Sequence, residues 1–474
     1  MYGFDPVQTN KQGLKVQATM SPGSIDLSYR AAPDARALRH IPGHDGLPLL
    51  GRAIDAERDL RGMVDQHVRS WGPVSRINLM GQPGLLVTGV DLFQRIFQDA
   101  ENNFSAEKGY EKQLAGFYPR GLVMMDFDVH RAQRRLLQGA FRVGALQRYL
   151  DMMQPLIAAR VQAWGGEPDF HFYPRIKQLL LEIGACCFLG IEHMGPEAEI
   201  VNRKFLELNA GMPALLRFEL PFGAYGRALR ARRWLERWFE AMIAARRNGN
   251  GGGEDVLSHM CRETDEQGQP YTVRQIVDHI IFLLFAAHDT GTSALTHLAM
   301  HLGRDQGLQQ RLREHLAGVD LVSHSDLGRM DFAESCFHEA LRMHPPAPIT
   351  LRRAIRATEL GGVAVPAHTV LYLPMMTNQR DPRWWSDPER FDPDRFAPPR
   401  SEQRRHPMCF HPFGSGAHKC IGLHFADLTV KAFLHRFVQT YRFATPAAYA
   451  PRLEWVPLPK PADGVPLTLA PLAV

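Results

Sequence analysis

The stretch Phe413-Gly414-Ser415-Gly416-Ala417-His418-Lys419-Cys420-Ile421-Gly422 decides the fold of this chain. Its glycines permit the positive φ angles and close approaches that bring backbone amides toward the cysteine sulfur. Phe413 is expected to shield that sulfur from water. The run from Ile421 to Val438 is apolar, periodic and free of proline, so Cys420 is predicted to lie at a helix N-terminus, where the dipole favours a thiolate. The alternative is a buried free cysteine, the usual state of an isolated cysteine.

This stretch resembles the cytochrome P450 signature Phe-x-x-Gly-x-[Arg/His]-x-Cys-x-Gly. In that family a cysteine thiolate binds the heme iron. The resemblance implies that Cys420 is the axial ligand of heme b (iron protoporphyrin IX) and that His418 donates to a propionate. The loop around the sulfur would consist of Phe413, Gly414, Gly416 and Gly422. The implied fold is the cytochrome P450 fold, which is mainly α with a small β-sheet region.

The composition is that of a globular protein, since 45% of the 474 residues are hydrophobic, 22% are charged and the net charge is +5. No convincing linker or internal repeat interrupts the chain. We predict one domain over residues 41–474, preceded by an N-terminal arm over residues 1–40 that we expect to be poorly ordered. The six cysteines lack the spacing of a secreted disulfide framework, which favours a reducing compartment. No nucleic-acid partner is expected.

The first forty residues contain no apolar segment of the kind found in signal peptides or membrane anchors. The strongest apolar run elsewhere, Ile280 to Ala287, is far shorter than the roughly 18 residues that a bilayer requires. We therefore expect a soluble protein without a transmembrane anchor. Microsomal members of the resembled family carry such an anchor, so the resemblance points to a bacterial, cytoplasmic member.

Periodicity predicts the elements around the stretch. Asp55 to Ser70 is predicted to be helical, and strands are expected over Val74 to Met80 and Leu85 to Thr88, with a turn over residues 81–84. Thr272 to Arg304 is predicted to form one helix, much longer than the average of about 11 residues, that crosses the whole body.

A predicted helix over Asp128 to Phe141 places His130 and Arg134 four residues apart on one face, where both can reach one anion. This pair resembles the heme-propionate pair of the family, and an arginine fork suits a carboxylate. Arg352 fits the third propionate contact of the family best, by its spacing to Glu359-Leu360.

The middle of the long helix reads Ala286-Ala287-His288-Asp289-Thr290-Gly291. A carboxylate and a hydroxyl among apolar residues need a partner or a function, although a threonine can also bond to its own helix. The stretch resembles the family's oxygen-activation motif, [Ala/Gly]-Gly-x-[Asp/Glu]-Thr-[Thr/Ser], which implies catalytic roles for Asp289 and Thr290. Ala287 and Gly291 depart from that motif and leave the width of the oxygen groove open.

Glu339 and Arg342 lie three apart on a predicted helix, a spacing that alone suggests a surface pair. They resemble the Glu-x-x-Arg pair of the family, which implies a buried triad with a later arginine. Spacing to the stretch around Cys420 and the following Phe396 favour Arg395 over Arg390 as that partner.

The resemblance also yields substrate contacts above the heme, nearly all apolar: Val123, Met124, Ala286, Ile349 and Thr350. We therefore expect a lipophilic substrate such as a fatty acid, terpenoid or steroid. The breaks at Met212-Pro213 and at residues 220–222 mark a connection that forms a lid in the resembled fold, or an ordinary loop.

The expected activity is that of a heme-thiolate monooxygenase, which inserts one oxygen atom of O2 into a C–H bond. A peroxide-using enzyme, an isomerase of the same fold, and a non-enzymatic heme sensor or carrier remain alternatives. Basic residues near the cysteine predict docking of an acidic ferredoxin or flavodoxin-like electron donor served by an NAD(P)H reductase. These residues are Arg131, Arg135, Arg404, Arg405, His406, Lys419 and Lys431. The alternative is a solvated basic face that only aids solubility.

Overall fold

The computed structural model describes residues 35–191, 195–212, 214, 217–220, 222–249, 253–321 and 323–472. Most of the predicted arm over residues 1–40 lies outside this range, as do Pro213, Leu215, Leu216 and Pro221 of the predicted lid. Within it, the helices are α1 Ala53–Trp71, α2 Val90–Gln98, α3 Ala106–Leu114, α4 Phe127–Gln138, α5 Val143–Ala163, α6 Phe172–Leu189, α7 Pro196–Asn209, α8 Ala224–Arg247, α9 Val256–Arg262, α10 Val273–Arg304, α11 Gln306–Ala317, α12 Asp331–Met343, α13 Met375–Asn378 and α14 Leu423–Thr440.

The strands are shorter than the helices and concentrate in one six-stranded sheet with the order β1-β2-β3-β8-β5-β4. They are β1 Gly43–His44, β2 Val74–Leu79, β3 Gln82–Val87, β4 Phe104–Ser105, β5 Ile349–Ala354, β6 Thr358–Leu360, β7 Val363–Val365, β8 Val370–Pro374, β9 Tyr441–Ala444, β10 Leu453–Glu454, β11 Lys460–Pro461 and β12 Thr468–Pro471. The prediction of a mainly α fold with a small β region is confirmed.

The first hairpin corrects one prediction. The turn over residues 81–84 was wrong, because Leu79 already pairs with Gln82 and Pro83 pairs with Asn78. Only Met80 and Gly81 form the turn, with φ angles of 53° and 70°. Two successive positive φ angles are what a two-residue hairpin turn of the favoured hand requires.

Helix α10 has 32 residues, which corresponds to a length of about 48 Å. Thr272 caps it, because its hydroxyl accepts from Gln275 N at 3.2 Å while Gln275 Oε1 accepts from Thr272 N at 2.9 Å. This reciprocal capping box satisfies two of the backbone donors that a helix start leaves open. The helix packs mainly against α6 and α12, so residues in its middle face the interior of the protein.

A buried ion network ties α12 to the segment before the cysteine loop. Glu339 accepts from Arg342 Nε at 2.6 Å and from Arg395 Nε at 3.0 Å, and all three side chains are fully buried. Arg395 also donates to Glu402 at 2.9 Å. Arg390 is exposed, so the structure assembles the predicted triad with Arg395. Glu402 is a fourth member that the sequence motif did not reveal.

None of the helices within the described residues is long and apolar enough to cross a membrane. Cys186 and Cys187 are buried in α6, and the six cysteines are free thiols.

Candidate functional site

A cavity of about 730 Å³ lies in the body of the molecule. Its wall includes the middle of α10, the loop that precedes α14, parts of α3 and α6, and the start of β5. This volume falls within the range of roughly 300 to 1,000 Å³ typical of small-molecule sites. The wall is largely apolar, and its polar side chains therefore mark the places where chemistry or orientation is controlled.

The cysteine loop is shaped by two glycines with positive φ angles, 69° at Gly414 and 65° at Gly416. A Cβ atom on Gly416 would collide with the carbonyl oxygen of Phe97, so this position requires glycine for space as well as for conformation. Gly422 differs from the prediction, because its φ of −86° is open to any residue. One of its Cα hydrogen atoms instead faces the sulfur, since a Cβ in that position would lie 3.9 Å from Cys420 Sγ.

Phe413 and Cys420 are joined through the backbone, where Cys420 N donates to Phe413 O at 2.8 Å. The Phe413 ring packs edge to face against Phe337 and lines the cavity. Helix α14 begins at Leu423, two residues later than predicted, so Cys420 precedes its first residue by three positions.

The Cys420 thiol lies deep in the protein and yet is exposed, because it opens into the cavity. Burial raises the pKa of Cys420, and this effect outweighs the hydrogen bond from Gly422 N and the positive charges of Arg134 and Lys419. Burial thus opposes the predicted stabilisation of a thiolate, and a bound cation would favour it. Such a thiol ionises readily only when a metal ion takes the place of its proton.

A cluster of polar side chains lies beside the cysteine loop at the same cavity. The His130 and His418 rings lie 4.0 Å apart, and His418 Nε2 is 3.4 Å from Asp126 Oδ1. Burial, together with the charges on His418 and Arg134, lowers the pKa of His130 to about 3. His130 is therefore neutral near pH 7, and it offers an anion an N–H group and no charge.

The positive charge comes from two arginines, Arg134 and Arg352, which both line the cavity. Arg352 donates to Leu351 O at 2.8 Å. Neither arginine lies within ion-pair distance of a carboxylate in the part of the chain that the structure describes. Arg353 instead donates to His368 O at 2.9 Å, away from the cavity wall. The geometry thus brings Arg352 together with His130, Arg134 and His418.

These observations test whether the site fits a heme. Among the described residues, both buried ring nitrogens of His130 have no hydrogen-bond partner, and Arg134 and Arg352 face the cavity without an acidic partner. A thiol opens into the same space. A group that carries a metal ion and two carboxylates would give each of these side chains a binding partner, so the residues fit a heme.

In α10, Asp289 has two partners that sequence reasoning missed. Its Oδ1 atom is 3.2 Å from Lys177 Nζ and 3.0 Å from His288 Nδ1. Burial by itself would raise the pKa of Asp289, but His288 and Lys177 outweigh burial, so the pKa lies below its ordinary value. Lys177 lies on α6, 112 positions earlier, and no local signal identifies it. His288 belongs to the stretch quoted above, so it could have been identified from the sequence as a partner of Asp289.

Thr290 Oγ1 donates to Ala286 O at 2.7 Å, the bond to its own helix that was the alternative interpretation. Thr290 also lines the cavity. The lone pairs of its hydroxyl thus remain available to a group in the cavity, while donation requires the hydroxyl to rotate away from Ala286.

Four of the five predicted substrate contacts line the cavity, namely Val123, Ala286, Ile349 and Thr350. Met124 does not, because its side chain is 5% exposed and packs in the hydrophobic core. The neighbouring Leu122 lines the cavity in its place. Both residues belong to a short 3₁₀ helix, Leu122–Met124, whose tight turn directs successive side chains to different sides.

The predicted basic surface loses one member. Lys431 is 2% exposed, and it pairs with Glu334 at 2.6 Å and Asp427 at 3.0 Å. Arg404, Arg405 and Lys419 are exposed, although Arg405 lies 3.6 Å from Glu402. His406 is half-buried and lies 3.5 Å from Asp91. Arg131 and Arg135 are exposed too, but they pair with Asp128 and Glu266 respectively.

Known proteins resemble this chain over most of its length. Residues 41–461 match the family model for cytochrome P450. The chain is 36% identical to a putative cytochrome P450 136 of Mycobacterium tuberculosis, over 93% of this chain and 90% of the relative. It is 26% identical to abscisic acid 8'-hydroxylase 4 of Arabidopsis thaliana, over 90% of this chain and 91% of the relative. A solved cyanobacterial cytochrome P450 with retinoic acid bound superposes with a TM-score of 0.84 at 27% identity, covering 91% of this chain and 99% of that chain.

Proposed function

The chain belongs to the cytochrome P450 family of heme monooxygenases, and from this premise we propose that it hydroxylates a lipophilic small molecule at a C–H bond through heme b. The observation that carries the proposal is one cavity that contains the Cys420 thiol, the Thr290 hydroxyl and a largely apolar wall. A thiol ligand, a proton donor and room for an apolar substrate are the three requirements of such a reaction.

We propose Cys420 as the iron ligand and the group of His130, Arg134, Arg352 and His418 as the donors to the heme propionates. The two arginines would supply the charge and the two histidines neutral N–H groups. A cysteine-ligated heme, when bound, supplies the iron chemistry that cleaves O2 and oxidises a C–H bond. Phe413 would shield the sulfur from water, and the glycines of the loop would leave room around it.

We propose that Thr290 and Asp289 transfer protons from solvent to the cavity. The Thr290 hydroxyl faces the cavity, where it can accept from a water and donate to oxygen once it leaves Ala286 O. Asp289 lies about 100° away around the helix and is held by Lys177, whose side chain is 27% exposed. Rotation of the Asp289 carboxylate away from Lys177 would connect Thr290 to solvent protons.

Two further observations support a lipophilic substrate. The predicted contacts that reach the cavity are small or apolar, and Ala286 leaves space in the middle of α10. Two relatives bear names that refer to lipophilic compounds, retinoic acid and abscisic acid. We therefore propose a terpenoid or fatty-acid-like substrate.

Members of the family use redox partners, and we propose an acidic ferredoxin with its NAD(P)H reductase for this chain. Exposed Arg404, Arg405 and Lys419 near the cysteine loop support this proposal. Electrostatic docking of this kind weakens with salt. Reduction of the heme by an acidic ferredoxin should slow as ionic strength rises, and a salt-independent rate would count against docking on this surface.

The function is tested with the heme-loaded protein and a ferredoxin system. Lipophilic candidates, retinoic acid among them, are screened by the low-spin to high-spin change in the heme spectrum, and hydroxylated product is then measured per NAD(P)H oxidised. Cys420→Ser is the control, since it should lose the ferrous-CO band characteristic of thiolate ligation. A band that persists in this variant would overturn the ligand assignment, and binding without any oxygenated product would overturn the monooxygenase proposal.

A further inference from the structure

Arg217 is a cation in the wall of the largely apolar cavity, and it lies in the connection between α7 and α8. We propose that Arg217 binds the carboxylate of the substrate, so that the substrate is a lipophilic carboxylic acid. This inference rests on the proposed function, because it names the class of molecule that would be oxidised in the same cavity.

The contacts of Arg217 leave part of its guanidinium group free. Nη1 donates to Lys112 O and, at 3.4 Å, to Gln113 O, while Nη2 donates to Met212 O at 3.2 Å. A guanidinium group has five N–H donors. Nε and one N–H of Nη2 therefore have no acceptor among the residues that the structure describes. Donors on neighbouring nitrogens form the fork that binds a carboxylate through both oxygens.

The charge of Arg217 is also unbalanced within the described chain, where no carboxylate lies within ion-pair distance of it. Burial lowers the pKa of Arg217, which shows that the surroundings disfavour the cation. Lys112 is adjacent, donates to Met80 O at 2.7 Å and likewise lacks an acid among the described residues. Burial lowers the pKa of Lys112, and the charge of Arg217 lowers it further. An anion bound at Arg217 would offset the cost of burying its charge and would reduce the repulsion that Arg217 exerts on Lys112.

A purely structural role competes with this interpretation. Lys112 O and Gln113 O belong to the last turn of α3, and a cation there stabilises the free carbonyls of a helix end. That role occupies Nη1 and does not explain why Nε is left open or why the residue lines the cavity. A heme-propionate contact is a second competitor, although His130, Arg134, Arg352 and His418 already provide donors of that kind.

The experiment compares matched ligand pairs on the heme-loaded protein. Palmitic acid and abietic acid, one linear and one polycyclic, are each titrated beside their methyl esters, with binding measured by the spin-state change and by equilibrium dialysis. The variants are Arg217→Gln, Arg217→Lys and the control Arg227→Gln. Arg227 is an exposed arginine near the start of α8 that donates to Phe222 O at 3.0 Å and is absent from the cavity wall.

We expect the wild-type protein to bind at least one acid more tightly than its ester. Arg217→Gln should weaken binding of that acid by about ten- to a hundredfold, the effect of one hydrogen bond to a charged group, and leave the ester unchanged. The affinity of Arg217→Lys for the acid should lie between those of the wild type and Arg217→Gln, because lysine keeps the charge but cannot bind both carboxylate oxygens through a planar fork. Arg227→Gln should bind the acid as the wild type does.

Three outcomes would overturn the inference: esters that bind as tightly as acids, an acid preference that survives Arg217→Gln, or heme loss in that variant, which would indicate a propionate contact. A lowered melting temperature with an unchanged acid preference would assign Arg217 to capping α3. Binding of the esters alone would leave the proposed function standing without a carboxylate site. Binding of neither form of any pair would count against the lipophilic substrate as well.

Discussion

Replacing Glu339 with glutamine tests whether the buried ion network holds the part of the protein that carries the cysteine loop. The carboxylate joins Arg342 and Arg395, and none of the three side chains is exposed. Glutamine keeps the size of the side chain and removes its charge, so the change leaves two buried guanidinium groups with less compensation.

The contacts determine how large the loss should be. Removing one partner of a buried ion pair costs about 3–5 kcal/mol. Arg395 retains Glu402 at 2.9 Å, and Arg342 retains Gln379 O at 2.9 Å, so the cost should lie at the lower end, about 3 kcal/mol. Unfolding entropy is about 2.1 cal/mol/K per residue, or about 1 kcal/mol/K for 474 residues. We expect a decrease in melting temperature of about 3 °C.

Glu389 provides a matched control, because it also joins two arginines, Arg61 at 2.8 Å and Arg380 at 2.7 Å. Its side chain is 55% exposed, although that of Arg380 is only 9% exposed. Water therefore reaches the carboxylate and lowers the value of these pairs toward the roughly 0–1 kcal/mol of exposed pairs. Glu389→Gln should therefore change the melting temperature by less than about 1 °C.

Thermal unfolding is followed by circular dichroism at low and high salt, and heme loading of each variant is measured alongside. The effect of Glu339→Gln should be insensitive to salt, since a buried pair is poorly screened, and Glu402→Gln added to it should increase the loss. Equal melting temperatures for Glu339→Gln and Glu389→Gln would refute the reasoning that burial makes this network important.

Three further predictions follow from the same structure. Thr290→Ala should keep substrate binding and NAD(P)H consumption but divert electrons to hydrogen peroxide, whereas Asp289→Asn should slow turnover by about 10²- to 10⁴-fold with less diversion; wild-type coupling in Thr290→Ala would contradict the proton-donor role. Gly416→Ala should lose heme binding, measured by heme titration, because its Cβ would collide with a carbonyl oxygen of α2; normal heme affinity would disprove this. Burial lowers the pKa values of His297 and His411 to about 4 from 6.5, so the unfolded chain binds more protons than the folded protein below pH 6.5. Each histidine should therefore lower the free energy of unfolding by up to about 1.4 kcal/mol per pH unit from pH 6.5 toward 4, and by nothing above pH 7. A melting temperature that stays constant from pH 7 to pH 5 would exclude the effect.

Local signals determined the parts of the protein whose neighbours are close in sequence. The glycine spacing around Cys420 predicted the loop, because backbone conformation depends on the residue itself, as the φ angles of Gly414 and Gly416 show. Periodicity predicted α10 to within one residue, since a capping box and an apolar pattern are both local. The family resemblance added the buried triad with Arg395, whereas the spacing of Glu339 and Arg342 alone suggested a surface pair.

Only the tertiary structure decided which distant residues meet. Lys177 reaches Asp289 from another helix, and Arg217 reaches the end of α3 across 105 positions; neither approach has a signature in the sequence. Lys431 was predicted on the surface and is buried in an ion pair with Glu334, because the sequence gives the spacing of charges along a helix while the rotation of that helix against its neighbours determines which of them face water.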